Sequence, residues 1–135
     1  MKTMINAPYL EKYNGEHHQP NIGTEETPKF VDYSVSQWVE LMLNVIPLTQ
    51  LSTQDAVKQL TVLRAMYQAQ DKPGIELEDD HYTWLLKTLF DDEYGKTLVK
   101  ALNKEADVKG SFALSVFGLV AIPLEEAIKK LQPKD

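Results

Sequence analysis

Residues 33–47 read YSVSQWVELMLNVIP, and this stretch decides the class of fold. Ser34 and Gln37 have the S-x-x-Q spacing of a capping box, in which hydroxyl and side-chain amide satisfy backbone N–H groups reciprocally at a helix start. Tyr33 and Trp38 occupy the two positions of a hydrophobic staple across that start. The spacing predicts a helix from about Val35 to Ile46, ended by Pro47, which disfavours the helical conformation in the residue before it. Val35, Trp38, Val39, Leu41, Met42, Leu43, Val45 and Ile46 leave this helix apolar on nearly all sides, the mark of a central, buried element.

The pattern stays helical downstream. Ser52-Thr53-Gln54-Asp55 opens a second helix, with Ala56, Leu60, Leu63 and Tyr67 as the expected inner stripe, widened by Val62, Met66 and Ala69. Asp71-Lys72-Pro73-Gly74 is a turn by composition. After it Ile75-Glu76-Leu77 alternates briefly, and the acids Glu78, Asp79 and Asp80 suit a helix N-terminus electrostatically. That third helix is expected to reach about Phe90, with Tyr82, Leu85, Leu86 and Leu89 inward. A fourth helix is expected from Asp91-Asp92-Glu93, before Gly110. The uncharged run GSFALSVFGLVAIP (110–123) is expected to be a buried helix against Trp38, Met42 and the inner face of the third, with an interface with another protein as its rival reading. At a dozen apolar residues it falls short of the roughly 30 Å of a bilayer core. Pro123 begins a last short helix with Leu124, Ile128 and Leu131 inward.

Upstream, residues 1–32 carry Pro8, Pro20 and Pro28 with Gly15 and Gly23, and no apolar period survives. They read as an irregular arm, extended or with short strands, that packs along the body or reaches a neighbour; residues 1–29 are expected to contribute little to the stability of the body and much to assembly. His17-His18 lies in the arm, where two solvated histidines are expected. The fold expected is therefore mostly α: an N-terminal arm over 1–32 and one helical domain of about five or six short helices over 33–135.

Composition narrows function by exclusion. The 135 residues contain no cysteine, so disulfides, thiolate metal sites and cysteine nucleophiles are out. The start has no apolar run after its lysine and is not expected to be a signal peptide. A soluble, cytoplasmic protein is therefore expected. The net charge is −6, and the segment from Glu76 to Glu93 carries it all, with seven acids opposed by Lys87 alone. The only arginine is Arg64. Nucleic-acid surfaces cluster Lys and Arg, so no direct DNA or RNA binding is expected. Neither G-x-S-x-G, H-E-x-x-H, a phosphate-binding glycine loop nor an EF-hand pattern occurs. No enzyme activity, metal or cofactor is expected.

The candidate partner surface lies on and around the third helix. Trp84 falls off the inner stripe, beside His81 and Thr88 at helical spacing. Asp79, Asp80, Asp91, Asp92 and Glu93 rim it, and an aromatic within a polar rim is the kind of anchor that interfaces favour. The competing reading covers Trp84 with another element and makes it core. The acids themselves suit helix N-termini whatever else they do.

The run YSVSQWVELMLNVIP, then LSTQDAVKQLTVLRAMYQAQDKPGIELEDDHYTWLLKTL, resembles small proteins encoded in the virion-morphogenesis gene clusters of tailed bacteriophages. The likeness covers roughly residues 30–102. It is a pattern of a polar lead, capped helices and a Val/Ile-x-Leu-acid-acid step into the third helix, here Ile75-Glu76-Leu77-Glu78-Asp79-Asp80. It implies a non-enzymatic assembly or accessory role, in the host cytoplasm or associated with the virion, and carries over no functional residues. The partner expected is another protein or a second copy of the chain. A small acidic inhibitor seated on a basic host site is the alternative.

Overall fold

The structure is a computed structural model, and it describes residues 1–12, 14–20, 22–24, 26–44, 51–90 and 123–131. Among the described residues there are four helices and a two-stranded antiparallel sheet. The elements are β1 (Lys2–Ile5), α1 (Val35–Asn44), α2 (Thr53–Gln68), β2 (Gly74–Leu77), α3 (Asp79–Phe90) and α4 (123–129). The chain is mostly α, as its pattern requires, but the all-helical bundle needs correcting: Ile75-Glu76-Leu77 is half of a sheet. The expected fourth helix and the run 110–122 lie outside the described residues.

The start of α1 follows its sequence closely. The Ser34 N–H donates to Gln37 Oε1 at 2.9 Å, and the Gln37 N–H donates back to Ser34 Oγ at 3.4 Å. The Tyr33 and Trp38 rings meet edge to face with centroids 5.5 Å apart. The first amides of a helix have no partner within it, and here the N-terminal segment supplies two of them. The Val35 N–H donates to the Ala7 carbonyl at 3.0 Å and the Ser36 N–H to Asn6 Oδ1 at 3.0 Å. With Val35, Trp38, Val39, Met42 and Leu43 buried, α1 is the central helix of the core.

Of the two placements expected for the arm, the first holds: it packs along the body, with a short strand, and this runs against a small contribution to stability. Met4 is fully buried, and β1 pairs with β2 in the register Lys2↔Leu77, Thr3↔Glu76, Met4↔Ile75, Ile5↔Gly74. Residues directly opposite share a face, so Met4 and Ile75 enter the core together while Thr3 and Glu76 face outward. A lone two-stranded sheet is marginal in water; here the Ile5 N–H donates to the Lys130 carbonyl at 3.3 Å, and Met4 bridges to Leu131 beyond α4. A small hairpin follows, closed by the Glu11↔His17 bridge and a turn at Gly15, whose φ of +86° favours glycine. The two arm histidines are also not simply solvated. His17 stacks on Tyr9 and contacts Asp32 Oδ1 at 2.9 Å, and His18 is buried.

Candidate interaction surface

On α3 the residues singled out by sequence do not form one open face. Trp84 is only 7% exposed, and its indole N–H donates to Asp55 Oδ1 of α2 at 3.1 Å. Thr88 is buried beside it. Trp84 is thus core and an inter-helix strut, not an exposed anchor, because α2 covers the flank of α3 opposite Tyr82. Asp79 pairs with the Met1 amino group at 3.1 Å, an Asp80 carboxylate oxygen accepts the His81 N–H at 3.0 Å, and His81 is half-buried. Asp91, Asp92 and Glu93 lie outside the described residues. Among the described residues no group of carboxylates or histidines has the geometry to hold a metal ion.

The unusual surface is on α2. Its start is capped by Ser52, whose hydroxyl accepts the Asp55 N–H at 3.1 Å. Its buried face is Gln59, Val62 and Met66, continued by Ala69 at the C-cap, and Gln59 Nε2 donates to the Leu43 carbonyl at 3.1 Å. The expected inner stripe divides: Val62, Met66 and Ala69 are buried and Ala56 and Leu63 half-buried, but Leu60 is 53% exposed and Tyr67 70%. With Val57, 58% exposed, Leu60 and Tyr67 form a second apolar face opposite the first. Thr53, Val57, Leu60, Arg64 and Tyr67 succeed one another at intervals of four, three, four and three, the seam spacing of a helix that packs against another helix. Val57 and Arg64 are the residues that sequence reasoning missed. The signal was available in that spacing, but a helix with two apolar stripes offers two solutions, and only packing selects one.

Electrostatics set this face apart. Asp55 is the only acid of α2 and is turned toward Trp84, whereas Arg64 is exposed among the apolar side chains of the stripe. Among the described residues no carboxylate pairs with Arg64. The exposed acids Glu76, Glu78 and Asp80 cluster at the β2–α3 junction instead.

A cleft of about 1010 Å³ opens between the arm and α4, with Tyr9, Leu10, His18, Ala127 and Lys130 among its walls. Burial and the charge of Lys12 hold the His18 imidazole below its ordinary value near 6.5. Glu11, Glu16 and Glu126 stand with Lys12 and Lys130 around the opening, so the cleft favours neither sign of charge. Among the described residues no helix is long and apolar enough to cross a membrane.

No family model, curated protein or solved structure matches this chain.

Proposed function

We propose that this chain is a non-enzymatic interaction protein that docks another protein on the outer face of α2. The observation that carries the reading is the exposed stripe of Val57, Leu60 and Tyr67, three large apolar side chains on a helix whose other face already fills the core. Single exposed apolar residues are ordinary, but a contiguous row marks a surface meant to be covered. The resemblance of residues 30–102 to phage morphogenesis proteins agrees with an assembly or accessory role. A second reading, a small acidic inhibitor of a basic host site, draws on Glu76, Glu78 and Asp80, which all face solvent.

Photocrosslinking in source cells separates the two, with a benzophenone side chain placed in turn at positions 60, 78 and 126. Docking on α2 gives a discrete adduct from position 60 that persists at high salt. The inhibitor reading gives one from position 78 that fades as salt rises, since exposed charge pairs are screened. Absence of any adduct at 60 overturns the α2 reading.

A further inference from the structure

Resting on the α2 reading, we infer that the partner presents an amphipathic helix whose apolar seam carries a carboxylate opposite Arg64. The stripe from Thr53 to Tyr67 is two heptads long, about 21 Å of helix at 1.5 Å per residue. Its intervals of four and three match the groove that one helix offers another, not the period-2 edge that a strand would need. Arg64 falls in the C-terminal half of that seam, between Leu60 and Tyr67.

An arginine at a seam position lays its alkyl stem on apolar neighbours and aims a rigid fork of donors past them. Covering it with an apolar helix alone would bury an unpaired charge, which is costly. A carboxylate removes that cost and forms a two-pronged, charge-assisted pair. A second copy of this chain does not supply it. Face-to-face pairing of two α2 helices leaves Arg64 of both copies without a carboxylate, because the only α2 acid, Asp55, is engaged by Trp84. An anionic membrane is a poor match for a chain of net charge −6. An acidic amphipathic helix satisfies both the seam and the charge.

The test uses the full chain and two synthetic helical peptides, each with leucine at the seam positions, one with a central seam glutamate and the other with lysine there. Fluorescence anisotropy is expected to show the glutamate peptide bound about tenfold or more tighter, as one charge-assisted hydrogen-bonded pair implies. Arg64→Glu is expected to reverse the preference, and Leu60→Asp to abolish both interactions with the melting curve retained. Equal binding of both peptides, or an unchanged preference in Arg64→Glu, overturns the carboxylate assignment. If crosslinking at position 60 still succeeds, the docking face itself survives that failure. Failure of both peptides to bind also overturns the inference, as does sedimentation showing a dimer that Leu60→Asp dissociates. Unfolding of Leu60→Asp overturns it too, because the face is then covered within the chain. Arg64→Glu, a change at an exposed position, keeps the charge test readable in every case.

Discussion

The side-chain carbonyl of Asn6 accepts the backbone N–H of Ser36 at 3.0 Å, joining the N-terminal segment to the first turn of α1. The same amide donates from Nδ2 to the carbonyls of Ala69 at 2.8 Å and Lys72 at 3.0 Å, just past the end of α2. One buried side chain therefore satisfies the start of one helix and the end of another. Asn6→Ala is expected to lower stability by about 2–4 kcal/mol, because a buried group left unpaired costs about 1–3 kcal/mol. Asn6→Asp keeps the acceptor for Ser36 but loses both donors, so it remains clearly destabilising. Urea denaturation measures both, and a cost below about 0.5 kcal/mol, the range of featureless surface changes, refutes the role.

Removal of residues 1–5 is expected to destabilise the body strongly. It takes away β1 and the fully buried Met4, leaving Ile75 and Leu77 without their cross-strand neighbours. Thermal melting decides the matter, and an unchanged transition would return this segment to the status of a loose arm.

The two faces of α2 predict opposite outcomes for similar substitutions. Met66→Ala opens the core and is expected to cost about 2–5 kcal/mol. Leu60→Ala, on the outer face, is expected to stay within about 0.5 kcal/mol. A reversal of that order in chemical denaturation means that the helix is rotated by about a third of a turn or more from the orientation described.

At the α2–α3 contact, Asp55→Ala is expected to cost about 1–3 kcal/mol, since the Trp84 N–H loses its acceptor and the first turn of α2 its acid. Asp55→Asn retains an acceptor for the indole and is expected to cost less. Near-ultraviolet circular dichroism reports the Trp84 environment directly, and an unaltered spectrum in Asp55→Ala counts against the strut.

Acid sensitivity follows from His18. Its folded-state value lies below 6.5, so the unfolded chain binds the proton more readily. Stability is expected to fall as pH drops below about 6.5 and to level off once pH passes the folded value. Asp32, lowered from 3.8 by hydrogen bonds from Gln19 and His17, contributes stability that is lost only at more acid pH, as pH falls through its folded value. Glu40, raised from 4.5 by burial, works in the opposite sense, since its burial costs stability as pH rises above 4.5. Stability measured against pH in His18→Asn is expected to lose the first of these slopes and retain the others. A slope just below pH 6.5 that survives the substitution belongs to another group.

Sequence by itself determined the local elements. The capping box of Ser34 and Gln37, the Ser52 cap, the turn through Pro73-Gly74 and the run of acids into α3 all act within four or five residues, where backbone hydrogen bonding and side-chain reach leave few alternatives. Tertiary structure decided everything that depends on what lies opposite. The four-residue strands β1 and β2 are nearly seventy residues apart and too short to announce themselves by period, and Asn6 gains its role only when α1 and α2 arrive on either side of it. Trp84 became core because Asp55 met it, which helical spacing within α3 does not encode. On α2, two apolar stripes compete for one interior, and the volume left beside α1 accepted Val62 and Met66 and left Leu60 and Tyr67 facing water. A helix pattern specifies which residues share a face; only packing against other elements specifies which face is inside.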